Sequence, residues 1–105
     1  MEPTIIVHGG AWDIPDDLAE AHITGCRKAT AVGRDLLIRG ATALDAVEAA
    51  VASMEDDPVF DAGKGSVLNQ SGQVEMDAVI MDGASLRSGA VAALRHVRNP
   101  IKVAR

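Results

Sequence analysis

The chain has 105 residues, 48% of them apolar, and fifteen acidic against ten basic side chains give a formal net charge of -5. That is one domain at most, and too apolar for a disordered chain. The acid excess, with one Trp, one Phe and no Tyr, excludes both a phosphate-binding groove and a base-stacking platform, so no nucleic-acid partner is expected. No apolar run approaches the roughly 18–20 residues that cross a bilayer, so no membrane is expected either. The start, Met-Glu-Pro-Thr, has no basic stretch followed by an apolar core, and the single Cys26 precludes an internal disulfide. Both features suit a reducing, cytoplasmic setting.

Thr4-Ile5-Ile6-Val7 is a β-branched run without polar alternation, the pattern of a strand buried on both faces, and it leads directly into His8-Gly9-Gly10-Ala11. Asp13 to Pro15 predicts a helix start, with Asp13 as cap and Pro15 near the first position. Leu18, Ala21, Gly25, Ala29, Val32 and Leu36 recur at steps of three and four and give this helix an inward stripe. Gly25 and Gly33 each cost about 1 kcal/mol in a helix, which marks them as places where another backbone comes close. Gly40 is the expected stop. Thr42 and Asp45 form a capping-box pattern for a second helix, with the stripe Leu44, Val47, Val51 and Met54 and an end before Pro58.

An irregular stretch from Glu55 to Gly65 follows. Ser66 to Asn69 predicts a strand and Gln70-Ser71-Gly72 a turn. Val74 to Met81 predicts another strand, with Val74, Met76, Ala78 and Ile80 on one face and Glu75, Asp77, Val79 and Met81 on the other. Asp82-Gly83 marks a turn, and Ser88 to Leu94 reads as a strand of small residues. Asn99-Pro100 breaks the chain, and 101–105 reads as a helix just begun, so the chain is expected to be part of a longer one. The order, strand, two helices, then strands in hairpin-like succession, is that of an α/β layer arrangement.

Local motifs alone do not yield a reaction. His8, His22 and His96 are far apart and show no ligand spacing, so each reads as a structural or surface histidine. Cys26 reads as a small half-buried residue. Gly63-Lys64-Gly65-Ser66 fails the phosphate-loop pattern, because Gly follows the Lys and Pro58 stands at the leading Gly position. The acidic run from Glu55 to Asp61 fails the EF-hand pattern, because Val67 or Leu68 falls at the closing position. Ser66, Ser71, Ser85 and Ser88 carry no local signature of an activated nucleophile.

The ordered set of motifs is more specific. Val7-His8-Gly9-Gly10-Ala11 is followed by Gly40-Ala41-Thr42-Ala43-Leu44-Asp45-Ala46-Val47-Glu48. Next come the segment from Met54 through Asp61-Ala62-Gly63-Lys64-Gly65-Ser66 to Asn69, and Val74-Glu75-Met76-Asp77-Ala78-Val79-Ile80-Met81-Asp82-Gly83. Together with Ser88-Gly89-Ala90-Val91 and Asn99-Pro100-Ile101-Lys102-Val103-Ala104-Arg105, these resemble the plant-type asparaginase, or isoaspartyl peptidase/L-asparaginase, family over almost the whole chain. The resemblance implies that residues 1–105 are the N-terminal, α-subunit portion of one asparaginase-type domain, an αββα sandwich of the N-terminal-nucleophile hydrolases.

It also implies a precursor that cuts itself and frees a Thr as nucleophile, with the α-amino group of that Thr as base. The substrate would be a β-aspartyl dipeptide or asparagine. The nucleophilic Thr is not among Thr4, Thr24, Thr30 and Thr42, none of which follows a Gly. No catalytic residue is therefore expected in this chain, which is predicted inactive without a downstream β-subunit half. A homo-oligomer of the processed precursor is the implied assembly. Around the missing Thr, the resemblance sets His8, Gly9 and Gly10 beside the cleavage site. Asp61 stands where the family usually has Asn. An amide donates and accepts hydrogen bonds and an ionised carboxylate only accepts, so this departure bears on the rate or pH of self-cleavage. The carbonyls of Met54, Glu55, Asp57, Phe60, Ala62 and Lys64 match a loop that holds a structural sodium ion; no organic cofactor is implied. A non-catalytic scaffold or assembly remnant of the same fold is the alternative.

Overall fold

The structure is a computed structural model and describes residues 2–105. Its elements are α1 (Asp16–Ile38), α2 (Ala43–Glu55), β1 (Met76–Asp82), β2 (Arg87–Leu94) and α3 (Pro100–Ala104). β1 and β2 form an antiparallel pair, with Ile80 opposite Gly89 and an irregularity between Met76 and Ala78. The α/β class expected from the element order is the class found.

Each helix ends where its chemistry dictates. Gly40, at φ +82°, lets its own N–H reach Leu37 O at 3.0 Å and that of Ala41 reach Leu36 O at 3.0 Å, which closes α1 with a Schellman motif. Two residues later Thr42 and Asp45 exchange bonds: the Asp45 N–H donates to Thr42 Oγ1 and the Thr42 N–H to Asp45 Oδ2, both at 3.2 Å. The start of α1 differs from expectation. Pro15 is its N-cap, with no side-chain cap bond, so Asp13 caps nothing.

The inward faces follow the predicted stripes only in part, with Gly25 and Ala29 buried as expected. α1 buries His22, Gly25, Ala29 and Gly33, while Leu18 is 38% exposed. α2 buries Ala46 and Ala50 and leaves Val47 outside. The smallest side chains win because the two helices pack closely. A Cβ on Gly33 would lie 3.1 Å from the Ala46 carbonyl oxygen, the backbone approach its glycine predicts. Ile5 covers the same point and reaches Gly33 with its Cδ1. The Thr4–Val7 run is nevertheless not a strand. It has no ladder partner among the described residues, and Ile6 is 93% exposed. Residues 66–69 are likewise not a strand; Asn69 instead anchors the 70–72 turn, accepting at Oδ1 from the Ser71 and Gln73 N–H groups at 2.9 Å.

The core lies between α2, α3 and the sheet. Ile80, Ile101 and Ala104 are buried together, with Leu44, Val51, Ala78 and Val91 packed around them. Glu55, at the last position of α2, is 2% exposed and accepts at Oε1 from the Ile101 N–H at 2.8 Å. Its second oxygen has no hydrogen-bond partner. Burial pushes this carboxyl above the usual range, against the pull of the Ile101 N–H and Asn99. Its neighbour Asp56 holds Arg98 in a two-point pair at 2.8 and 2.9 Å, and the Arg98 guanidinium keeps the Asp56 carboxyl below its usual range. Arg105, the C-cap of α3, pairs with Asp45 at 2.7 Å and with Glu48 at 3.0 Å.

Two predictions follow from these end-of-helix contacts. Glu55→Ala strands the Ile101 N–H in the core and is expected to cost about 1–3 kcal/mol, whereas Glu55→Gln keeps an acceptor and is expected to cost far less. Chemical denaturation of the two variants checks this; equal losses would refute it. Asp45 is held below its ordinary 3.8, first by the Thr42 hydroxyl and then by Arg105. A lowered folded-state value means that its contribution is present above pH 3.8 and is lost as pH falls through the folded-state value. Asp45→Asn is therefore expected to lower the melting temperature near neutrality, and the gap from the parent chain should close in acid. A gap independent of pH would refute the charged role.

Candidate functional site

The N-terminal run turns into the molecule at glycine. Gly10 has φ +109°, a conformation that strains an L side chain, and its N–H donates to His8 Nδ1 at 3.1 Å. Gly9 is needed for space. A Cβ there would lie 2.5 Å from Cys26 Sγ on α1 and 3.2 Å from Phe60 Cε1. His8 itself is exposed, so the turn presents its imidazole outward while its backbone is backed by α1.

Phe60 comes from the irregular 56–65 loop and is 4% exposed. The loop is a chain of tight turns. The Asp57 N–H bonds Met54 O at 3.1 Å, that of Phe60 bonds Asp57 O at 3.2 Å, and that of Lys64 bonds Glu55 O at 2.7 Å. The Asp57 carboxylate accepts from the Val59 N–H at 3.1 Å. These bonds turn the Phe60 ring toward α1, where a Cβ on Gly25 would sit 2.6 Å from Phe60 Cε2 and 2.8 Å from Cζ. Gly25 was expected to admit a backbone; it admits an aromatic ring. His22 meets Phe60 edge-on with centroids 5.6 Å apart, and Trp12 meets His22 at 5.7 Å. His22 Nδ1 is bonded to Leu18 O at 2.9 Å, which is the structural role expected of it.

Asp61, the next residue, points the other way. It is exposed, and its Oδ1 accepts from the Val67 N–H at 3.0 Å, which closes the loop onto the 66–69 segment. The structure thus ties the His8-Gly9-Gly10 turn and the Asp61 loop together through Phe60. The six carbonyls of the predicted cation loop fall into two groups. Those of Met54, Glu55 and Asp57 already accept backbone hydrogen bonds. Those of Phe60, Ala62 and Lys64 accept none of the loop and turn bonds among the described residues. The Pro58 and Phe60 carbonyls are turned onto Gly65, where a Cβ would overlap both. Among the described residues no group of three or more His, Cys, Asp or Glu side chains is placed to hold a metal ion, so a cation at this loop would rest on backbone oxygens.

The four threonines are placed apart from this site's chemistry. The Thr30 hydroxyl donates to Cys26 O at 2.8 Å, the Thr42 hydroxyl caps α2, and Thr4 and Thr24 are exposed. Sequence reasoning missed the aromatic column of Trp12, His22 and Phe60, and the seat that Cys26 gives Gly9. The available signal was Gly25, a helix glycine that required something bulky to face it.

No helix among the described residues is long and apolar enough to cross a membrane. A family model described as Asparaginase matches residues 1–105. The chain is 52% identical over 105 residues to an isoaspartyl peptidase/L-asparaginase of Xenopus laevis, and the match covers all of this chain and 34% of that protein. It is 53% identical over 106 residues to the protein of the same name from Homo sapiens, again covering all of this chain and 34% of the relative. A plant-type L-asparaginase of Thermococcus kodakarensis is 54% identical over 102 residues, 96% of this chain and 33% of the relative. The chain therefore spans about a third of the length of the curated relatives it matches. Since the match runs from the first residue to the last, through the glycine turn, the capping box and the Phe60 loop, the chain belongs to the asparaginase family.

Proposed function

We propose that this chain forms one wall of the active site of a self-processing hydrolase that acts on β-aspartyl dipeptides and on asparagine. The observation that carries the reading is the seating of the His8-Gly9-Gly10 turn on Phe60, beside Asp61, in a chain that the family model matches over residues 1–105. In this reading the remainder of the fold supplies a Thr whose hydroxyl adds to the side-chain carbonyl of the substrate. Its own α-amino group takes the hydroxyl proton, ammonia or the amino group of a residue leaves, and water releases aspartate from the acyl-enzyme. The chain alone would be inactive, because none of Thr4, Thr24, Thr30 and Thr42 carries a free α-amino group to serve as its base, and the Thr30 and Thr42 hydroxyls are engaged locally. A β-subunit half and a second processed copy are the partners this reading requires.

The 54–64 loop fits a sodium ion on chemical grounds: three carbonyls without loop partners, two glycines that let the backbone close up, and a hard cation's preference for oxygen. Met54, Glu55, Asp57, Phe60, Ala62 and Lys64 would hold it through their carbonyls, and its charge would draw those oxygens inward. A bound ion stabilises by mass action. The melting temperature is expected to rise as sodium replaces choline at constant ionic strength; an unchanged value would remove the ion from the proposal.

A second reading, an association module, draws on the apolar surface left by Val79, Met81, Val67 and Leu68, which are 67%, 56%, 67% and 66% exposed. Intact-mass measurement on the product of the complete reading frame separates the two. Self-cleavage into two fragments, the second beginning with Thr, with aspartate released from a β-aspartyl dipeptide or L-asparagine, is the expected result. An uncut or inactive product would favour the association module. In the same experiment Asp61→Asn restores a group that donates as well as accepts. It is expected to speed self-cleavage about tenfold, the equivalent of roughly 1.4 kcal/mol from one hydrogen bond. A rate equal to the parent's would show that the carboxylate at this position is without effect.

A further inference from the structure

The ring of Phe60 is held from two sides. Its Cε1 lies against Gly9 and its Cε2 and Cζ lie against Gly25, at positions where a single added carbon on either glycine would come within 2.6–3.2 Å of the ring. Its third side is closed by the edge of His22, itself covered by Trp12. A ring in such a slot has no second rotamer to occupy, because close-packed interiors leave no room for one. The backbone of Phe60 is fixed as well, by its N–H bond to Asp57 O at 3.2 Å, and the next residue is Asp61.

We propose that Phe60 is a positioning residue, a wedge through which the His8-Gly9-Gly10 turn and the Asp61 loop keep one fixed relative placement in the active site. Gly9 and Gly25 are then size requirements of the wedge. Cys26 Sγ adds to the size requirement at Gly9, which it backs from α1. The proposal rests on the reading that this turn and Asp61 border the reacting threonine. It adds that their spacing is set by a side chain that touches neither substrate nor nucleophile.

Phe60→Leu fills most of the slot but loses both ring edges; Gly25→Ala pushes on the ring directly, since its Cβ would lie 2.6 Å from Cε2 and 2.8 Å from Cζ. The test uses the complete reading frame, with kcat and KM on a β-aspartyl dipeptide, the melting temperature, and the amide NMR signals of Gly9 and Gly10. Misplacement by about 1 Å costs up to about 100-fold in rate. Phe60→Leu is therefore expected to lower kcat at least about tenfold with KM within about twofold, and to shift the Gly9 and Gly10 signals. Gly25→Ala is expected to lower kcat likewise, and the double variant to lose less than the product of the two, because leucine makes room for the added methyl. Ile101→Val, in the core away from the slot, serves as a control that lowers the melting temperature without moving kcat or these signals.

Full kcat in Phe60→Leu with unshifted Gly9 and Gly10 signals would overturn the wedge. So would losses that simply multiply in the double variant, or a kcat that follows melting temperature across all variants, Ile101→Val included. If the parent protein is itself inactive, the hydrolase reading fails, and the NMR signals still decide whether Phe60 sets the turn.

Discussion

Glu55 is the contact on which the arrangement of this chain depends. Its side chain receives the first free N–H of α3, and its main-chain carbonyl receives the N–H of Lys64 at the far end of the loop. One residue thus joins the end of α2, the closure of the 56–65 loop and the start of α3. Gly63 packs directly on it, where a Cβ would come 2.5 Å from the Glu55 carbonyl oxygen. A carboxylate buried with one oxygen unpartnered is costly, and its raised proton affinity is the sign of that cost. The fold retains it because an apolar side chain there would leave the Ile101 N–H without an acceptor. The Asp56–Arg98 pair one residue on is exposed and screened, and adds direction more than energy.

From that anchor the site follows by packing. With the loop's two ends fixed, Phe60 can only turn inward, and the glycines at 9 and 25 are the space it enters. Aromatic side chains are scarce in this chain, yet its only Trp, its only Phe and a buried His form one column beneath the glycine turn. At the α1–α2 crossing alanine and glycine do the packing, and Gly89 lies against the Ala104 carbonyl. Rigid backbone contact of this kind fixes the relative placement of the segments it joins.

The elements fixed by local chemistry were the legible ones. Gly40, the Thr42–Asp45 box and the alternating face of Met76, Ala78 and Ile80 each carry their own cause, and each lies where the pattern predicted. Thr4–Val7, β-branched throughout, and the 66–69 segment, with Val67 and Leu68 at its centre, do not form strands because such residues describe a surface that fits a sheet, and pairing needs a neighbour that pattern alone does not provide. The helix stripes were right at Gly25 and Ala29 and displaced elsewhere for a related reason. Hydrophobic periodicity favours Leu18 and Val47, but close helix contact selects the residues with the least bulk, Gly33, Ala46 and Ala50. As for the site, the glycine turn and the loop were legible as motifs. Their union through Phe60 was not, because the two segments are fifty residues apart in sequence and only packing brings them together.

That union explains a feature of the site residues themselves. His8 and Asp61 are both exposed, on segments without regular secondary structure, where side chains and backbone are ordinarily free to drift. Here each is the outward neighbour of an inward-facing anchor, Gly9 in one case and Phe60 in the other, and the two anchors touch. The exposed residue gains the precision of the buried one at no cost in accessibility. A loop can therefore carry polar groups to a reacting centre without a helix or strand beneath it, provided that a wedge of this kind fixes the residue next door.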